Sequence, residues 1–280
     1  MKDYVLVSFS GGKDSTAMLL HMIELGEQID EVINVDTGME FPDMYTHIER
    51  IKRIVKENGI KYIELRADHP YEWYLLEKPI ESKKWGDHIG YGWPSVKCRW
   101  CTKHMKTELL NQYLKPLKEQ YNVIQCIGLA SDEVRRLSRP NNQKKNHRHP
   151  LVEWGWTEDD ALRYCIEHGY DWNGLYQHFR RVSCWCCPLS GMNELRNLWR
   201  YYPDLWKKLE EWEAILSEPD RGQKYRFKED TSVFDLTERF EYEQSRIDKG
   251  LSIESRGFYE QYRRIKTPLP DKQTRLEIEE

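Results

Sequence analysis

Two groups of residues in this chain have the types and spacing to do chemistry. The first is Ser10-Gly11-Gly12-Lys13-Asp14-Ser15, which follows an apolar, β-rich run and opens a helical pattern. Adjacent glycines let backbone N–H groups approach an oxyanion without interference from a Cβ. A helix N-terminus adds the positive end of its dipole. Ser10, Ser15 and Thr16 offer hydroxyls, and Lys13 supplies a full charge. Such a segment is an anion cradle suited to phosphate. A strand–Gly-Gly–helix turn can also be a plain connection, but the full string in this setting favours the cradle. It is not the P-loop, which has a glycine five residues before its Gly-Lys pair and a Ser or Thr directly after the lysine. Here Val7 and Asp14 occupy those places.

The second group is the cysteines. Cys98-x-x-Cys101 and Cys184-x-x-Cys187 have the spacing by which two turns deliver four thiolates to one metal centre. Zinc and iron–sulfur centres accept the same ligands, so spacing alone leaves both open, with free thiols as a third reading. Cys186, in the second turn, is left over. Arg180 and Arg181 are close in sequence, and such a setting can lower a thiol pKa and make it nucleophilic. The alternative is that Cys186 packs beside Trp185 and Pro188. Cys126, in an apolar strand, and Cys165, on a helix, read as buried and inert. Seven cysteines, an odd number in two tight groups, point to metal or thiol chemistry rather than disulfides.

The elements that must position these residues alternate. Residues 4–9, 31–35, 61–65 and 122–127 read as strands. Helical spacing runs through Ala17, Leu20 and Ile23, through Met44, Ile48, Ile51 and Val55, and across the basic stretch 103–119. Gly26 and Gly59 are placed to end the first two helices, and Pro42 to begin the second. Alternation of this kind implies an α/β fold with a parallel sheet and helices on both faces. Ligands then bind outside the carboxyl ends of the strands, so loops starting at Ser8, Asp36, Arg66 and Gly128 share one rim. There Asp36 can meet a ribose or a magnesium ion, with helix-start chemistry by Asp36 and Thr37 as the competing reading. Arg135, Arg136, Arg139, Lys144, Lys145 and Arg148 lie beside the same rim and favour a polyanionic nucleotide or a nucleic-acid backbone. Arg135 and Arg136 read as site residues, Lys144 and Lys145 as a solvated loop. Thr157 and Asp160 have the spacing of a capping pair before a helix over 161–168. From Gly191 the pattern is helical, broken at Pro203, with Trp199, Trp206 and Trp212 packing against the α/β body.

With 280 residues, 39% apolar, 32% charged and 11 Trp, the chain has ample material for a core, which excludes intrinsic disorder. A net charge of −4 excludes a globally basic nucleic-acid coat but not a local basic patch. No apolar run reaches the roughly 18–20 residues of a bilayer span. The N-terminal run does not read as a signal peptide, so a soluble cytoplasmic protein is expected, with no membrane partner.

The string at 10–15 resembles the PP-loop of the N-type ATP pyrophosphatases, which holds the pyrophosphate end of ATP or a phosphosulfate group. Asp36-Thr37-Gly38 with Glu40-Phe41-Pro42-Asp43 is similar to the Asp-Thr-Gly…Phe-Pro-Glu stretch of the phosphoadenosine phosphosulfate (PAPS) reductase family. Gly128-Leu129-Ala130-Ser131-Asp132-Glu133-Val134-Arg135-Arg136 resembles that family's Gly…Arg segment, and His149-Pro150 to Trp154 and Gly169-Tyr170…Leu175-Tyr176 its later landmarks. The likeness covers residues 4–189. It implies a PP-loop, adenine nucleotide alpha-hydrolase-like fold over 1–190; the helical extension over 191–280 is not covered by it and rests on the helical pattern. It implies a nucleotide site of Ser10, Gly11, Gly12, Lys13, Asp14, Ser15, Asp36, Thr37, Gly38 and Gly128 that takes ATP or a PAPS-like nucleotide with magnesium. Lys13, Asp36, Arg135, Arg136 and Cys186 then stand as catalytic residues.

Adenylyl-sulfate reductases of this family hold a 4Fe–4S cluster with a Cys-Cys pair and a later Cys-x-x-Cys, whereas this chain has Cys-x-x-Cys first. The run Arg99-Trp100-Cys101-Thr102…Met105-Lys106 is closer to the DNA-phosphorothioation sulfurtransferase branch, which also carries clusters. A 4Fe–4S cluster on Cys98, Cys101, Cys184 and Cys187 is the expectation, with zinc as its rival. Thioredoxin-dependent PAPS reductases use a cysteine near the C-terminus, and here no cysteine follows Cys187. The reading is therefore a nucleotide-dependent sulfur enzyme that adenylates an acceptor and releases pyrophosphate, served by a cysteine desulfurase or another sulfur donor. DNA, tRNA, a metabolite and sulfate esters stay open as acceptors. A sulfonucleotide reductase and a zinc-stapled nucleic-acid-binding module are the alternatives.

Overall fold

Strand β1 (Asp3–Ser8) is the middle strand of a five-stranded, wholly parallel sheet in the computed structural model. The structure describes residues 1–81, 83, 86–218, 226–228, 231–253 and 262. Parts of the expected 191–280 helical extension, including the charged stretch 268–280, lie outside the described residues. After β1 come α1 (Lys13–Glu24), β2 (Glu31–Asp36), α2 (Pro42–Glu57) and β3 (Lys61–Arg66). An antiparallel ribbon follows, β4 (Pro79–Ile80) with β5 (His88–Ile89), then α3 (Trp100–Thr102) and α4 (Glu108–Gln120). The sheet resumes with β6 (Asn122–Ile127), and α5 (Val134–Leu137) leads to the edge strand β7 (His147–Arg148). The order across the sheet is β3-β2-β1-β6-β7.

The period of two along the strands explains the layers. Leu6, Ile33 and Val123 face one way and pack against Leu114 of α4. Val7, Val32 and Cys126 face the other and join the larger core with Ala17, Met18 and Leu19 of α1 and Met44, Ile48 and Ile51 of α2. Pro42 stands at the start of α2, where its missing N–H costs nothing, and Gly26 ends the α1 turn at φ +66°. Cys126 and Cys165 are fully buried, and burial pushes their thiols up to about 11 and about 12.

Two details differ from the sequence reading. The basic helix expected over 103–119 begins instead with α3 and a π-helical turn, Lys103–Thr107, before α4. The wide turn shifts the register of Lys106 relative to α4, which periodicity alone does not reveal. The loop expected over 138–150 contains β7, whose two polar residues are too few to show a strand period.

Past the sheet lie α6 (Pro150–Glu153), α7 (Glu158–Glu167) and α8 (Leu175–His178), then α9 (Met192–Tyr201), α10 (Pro203–Leu216) and α11 (Val233–Ile247). Helix α7 opens on the expected Thr157–Asp160 capping box, and Pro203 separates α9 from α10. Leu195, Leu198, Trp206, Leu209 and Trp212 belong to the same core as Phe41, Tyr71 and Trp185, so these helices share their core with the α/β body. Trp199 is partly buried against it. No helix among the described residues is long and apolar enough to cross a membrane.

On α10, Glu213 is 1% exposed; its Oε2 accepts from Trp93 Nε1 at 2.6 Å, while Oε1 has no partner among the described residues. Burial pushes this carboxyl up to about 7. A carboxyl raised on folding binds its proton more tightly in the native state, so its ionisation weakens the fold as pH rises from about 4.5 through about 7. Glu213→Gln keeps an acceptor for Trp93 and removes the charge. It should stabilise the protein by about 1–2 kcal/mol in urea unfolding at mildly alkaline pH, with the gain fading in acid. A variant no more stable than the parent at alkaline pH refutes this reading.

Gly128 gives a second prediction. A Cβ there would stand 2.8 Å from Ser15 N and 2.9 Å from Asp14 C, both backbone atoms. Gly128→Ala should cost about 1–3 kcal/mol of unfolding free energy because strand tip and helix must part. An unchanged urea midpoint would show that the tip is free to move.

Candidate functional site

The 10–15 segment turns from the end of β1 into α1 with its backbone laid open. Gly11 sits at φ +80°, and a Cβ there would come within 2.7 Å of Ile48 Cγ1 and 2.8 Å of Met44 Sδ. Only glycine fits. Trp172 Nε1 donates to Gly11 O at 2.9 Å, Ser10 N to Ser15 Oγ at 3.1 Å, and Lys13 N to the Tyr176 hydroxyl at 2.8 Å. The N–H groups of Gly12, Asp14 and Ser15 donate to no protein group among the described residues. A Cβ on Gly12 would meet only Tyr176 Oη at 3.5 Å and Ser10 Oγ at 3.6 Å, so the space above it is open.

That space is a cavity of about 140 Å³, lined by Ser10, Gly12, Lys13, Asp14, Ser15 and Gly128, by the cations Arg136, Arg180 and Arg181, and by the acids Glu133 and Glu158. A neighbouring chamber of about 480 Å³ shares Lys13, Glu158, Tyr176 and Arg180 with it. Lys13 is committed: its ammonium lies 2.9 Å from Asp14 Oδ1 and 3.2 Å from Glu158 Oε2, with 8% of the side chain exposed. Burial raises the Asp14 carboxyl, Lys13 opposes this, and Glu158 and Glu133 add to the rise. Arg136 is paired with Glu133, whereas Arg135 is exposed and does not line the cavity. The sequence expected Arg135 beside Arg136; on a single short turn, α5, the two neighbours point apart. Arg180 and Arg181 line the cavity at the 10–15 loop, and Arg181 also borders a small hollow with Cys184 and Trp185.

Asp36, at the tip of β2, is 7% exposed and fully engaged. It accepts from Gly38 N at 2.8 Å, Tyr45 Oη at 2.9 Å and Arg66 Nη2 at 2.8 Å. The next residues lead to the thiols. Thr37 Oγ1 lies 3.6 Å from Cys184 Sγ, that thiol lies 3.6 Å from Glu40 Oε1, and Trp185 N donates to Met39 O at 3.1 Å. The sheet rim and the cysteine turn therefore share the 36–40 segment.

Cys101, Cys184 and Cys187 act electrostatically on Lys106, whose ammonium is favoured first by Cys184 and then by Glu40. Burial pushes the Cys184 thiol up to about 12 and raises Cys101. Cys98 stands apart, exposed, its amide bonded to Ser95 Oγ at 3.1 Å. Cys186 is 1% exposed beside Tyr71, and burial drives its thiol well above the ordinary value. A lowered, nucleophilic thiol was one expectation for Cys186; the structure instead gives the packed alternative, because low polarity disfavours a thiolate. For a metal centre the gathered thiols are suitable donors, yet among the described residues no three Cys, His, Asp or Glu side chains are arranged to hold an ion. The fit is one of donor chemistry, not of position.

Sequence reasoning missed Glu158, Tyr176 and Lys106 as site residues. Tyr176 and Lys106 lie within stretches that resembled the family, so a signal existed. Glu158 is an ordinary first-turn acid of a capped helix, and nothing in its spacing marks it.

Residues 4–190 match the family model of the phosphoadenosine phosphosulfate reductase domain. Two uncharacterised proteins of Methanocaldococcus jannaschii are 31% identical over 226 residues and 28% identical over 221 residues, covering 78% and 77% of this chain. Those matches take in 42% and 48% of the relatives, so the chain spans less than half their length. An uncharacterised 37.8 kDa protein of Escherichia phage 186 is 26% identical over 255 residues, covering 76% of this chain and 75% of its own. Among solved structures, the U34-tRNA thiolase NcsA from Methanococcus maripaludis with its 4Fe–4S cluster aligns at 19% identity. It covers 90% of this chain and 75% of that one, but at a TM-score of 0.39 the likeness carries no argument. The family match takes in the phosphate loop, the Asp36 turn and both cysteine pairs, and by it the chain belongs to the phosphoadenosine phosphosulfate reductase domain family, a PP-loop group of sulfur-related enzymes.

Proposed function

We propose that the protein binds ATP, or a related adenylyl nucleotide, at the 10–15 loop and adenylates an acceptor for sulfur transfer. What supports this reading is the 36–40 segment, which leaves the tip of β2 on the same sheet rim as the 10–15 loop and reaches the Cys184 thiol. An acceptor oxygen attacks the α-phosphorus, the bond from that phosphorus to the bridging oxygen breaks, and pyrophosphate leaves. The acceptor loses its proton to solvent. The amides of Gly12, Asp14 and Ser15 take the leaving charge, and Arg136, Arg180 and Arg181 oppose it across the cavity. Such catalysis is positional and electrostatic. Lys13 reaches the phosphates only by leaving Asp14 and Glu158, and those two carboxylates are then the oxygen donors that would hold magnesium. Magnesium supplies further neutralisation of the phosphate charge. Asp36, held by Tyr45 and Arg66, keeps the rim in shape and, with Thr37, Gly38 and Gly128, bounds the nucleotide.

Cys101, Cys184 and Cys187, completed by Cys98, are read as ligands of one thiolate-bound centre, a 4Fe–4S cluster in preference to zinc. The centre would supply a sulfur-binding iron site or a rigid anchor. A reductase with Cys186 as nucleophile is disfavoured by the burial of that thiol.

For the cradle, the test is calorimetric titration with ATP and with PAPS. Gly12→Val should keep its melting temperature, since a Cβ there meets only ordinary contacts. It should weaken binding about 100-fold through the loss of about 3 kcal/mol of charge-assisted hydrogen bonds. Unchanged affinity for both nucleotides sinks the assignment. Pyrophosphate release from ATP supports adenylation; sulfite release from PAPS supports the reductase.

For the thiols, protein purified without oxygen should be brown and contain iron and acid-labile sulfide. Both should be lost in Cys98→Ser and in Cys184→Ser and kept in Cys186→Ala. Colourless protein holding about one zinc per chain overturns the cluster in favour of a tetrathiolate zinc site.

A further inference from the structure

The exposed edge of the sheet carries a feature that the nucleotide chemistry does not use. Strand β7 pairs with β6 through Gln125↔His147 and Cys126↔Arg148, and the other side of β7 has no strand partner among the described residues. Two open hollows of about 620 and about 260 Å³ meet there and share Lys145, Asn146 and His147. Lys118, from the last turn of α4, and Lys144 line the smaller one with Lys145. From sequence, Lys144 and Lys145 look like a solvated loop. The fold places them with Lys118, which is 26 positions away from Lys144 along the chain.

All three lysines are exposed, and none forms an ion pair among the described residues. They are close enough that, after burial, the charge of Lys144, with those of His149 and Lys118, helps hold His147 below its ordinary pKa. The rest of the lining mixes the amides Asn122, Gln125 and Asn146 with His147, His149 and Arg148 and with apolar Val123, Ile124 and Val152. Its one acidic residue, Glu153, is taken by Arg148, whose Nη2 lies 2.7 Å away. A protein of net charge −4 thus presents an uncompensated cationic groove.

The groove also leads somewhere. The lysines line it beside Val123 and Gln125, about 10–17 Å along β6 from Gly128, and its Arg148 end lies level with Cys126, about 7 Å from Gly128. His149 Nε2 lies 2.8 Å from Asn142 O, and Asn142 Nδ2 donates to Arg136 O at 2.7 Å, so the groove wall is tied to an arginine of the nucleotide cavity.

We propose that this groove, with Lys118, Lys144 and Lys145 as its phosphate contacts, docks the backbone of a nucleic acid and leads it toward the nucleotide cavity. An extended phosphodiester chain suits it because its charges recur along one line and the three lysines have no ion-pair partner among the described residues to displace. The docking does not depend on the adenylation reading, since it is measured without ATP.

The test is fluorescence anisotropy with a labelled RNA hairpin and a DNA hairpin of the same sequence, titrated at several salt concentrations. The parent protein should bind at least one of them, with log K falling steeply against log salt. Lys118→Glu, Lys144→Glu and Lys145→Glu combined should weaken binding at least about tenfold and flatten the slope by about 3, roughly 1 per lost phosphate contact. Melting temperature and ATP affinity should stay unchanged, which separates a docking role from damage to the fold or the cradle. Reversal of Arg53 and Lys56, exposed on α2, should leave binding intact. Absence of binding by both hairpins, or a triple variant with the parent's affinity and slope, overturns the proposal. So does equal competition by poly-glutamate at the same charge concentration, which would assign the groove to an acidic protein. The stronger of the two hairpins identifies the polymer.

Discussion

The structure depends on backbone approaching backbone at the sheet rim. Gly128 meets the first turn of α1 at a distance no Cβ allows, and Gly11 reaches the core side chains of α2 in the same way. These two contacts hold the 10–15 loop against its neighbours without covering its amides. The segment after Gly128 brings Arg136 to the cavity, and the tyrosine and tryptophan after α7 brace the loop through Lys13 N and Gly11 O. A larger residue at either glycine would force apart the elements that present the charges.

The second constraint is the economy of the 36–40 segment. One end is fixed by Asp36, which accepts three hydrogen bonds or ion-pair contacts; the other end meets Cys184 and Trp185. The C-terminal helices hold the far side: Trp212 stacks on Trp185 at 5.4 Å, and Tyr71 lies 5.8 Å from Trp212. The cysteine turn is thereby clamped between the sheet rim and a helical layer. Burial there raises thiol pKa values, so any thiolate needs a cation; Lys106 is within reach of Cys101, Cys184 and Cys187, and Lys228 of Cys187.

Charge is arranged locally rather than in bulk. The chain is acidic overall, yet the cavity is faced by Arg136, Arg180 and Arg181, and the sheet edge by three lysines. Carboxylates are interleaved where a cation must be parked: Asp14 and Glu158 on Lys13, Glu133 on Arg136, Glu153 on Arg148. Pairing of this kind keeps half-buried cations solvated by protein.

The sequence by itself determined what is encoded in short spacing. Strand–loop–helix alternation gave the parallel sheet, the Gly-Gly string gave an open turn between β1 and α1, the Thr157–Asp160 pair gave a helix start, and Pro203 gave a break, because each acts over a few residues of its own chain. Tertiary structure alone decided which charges face which space. Arg135 and Arg136 are neighbours in sequence but part company on a single helical turn, and Arg181 lines both the 10–15 cavity and a hollow beside Cys184. Cys186 could have been the reactive thiol or a packed one, and its 1% exposure follows from Tyr71 and the surrounding aromatic core, which no local pattern encodes. Lys118 and Lys144 become neighbours only because β6 and β7 pair beside the end of α4. A side chain's pKa and partners depend on what long-range packing brings within a few ångströms, and that is set by the whole fold rather than by spacing along the chain.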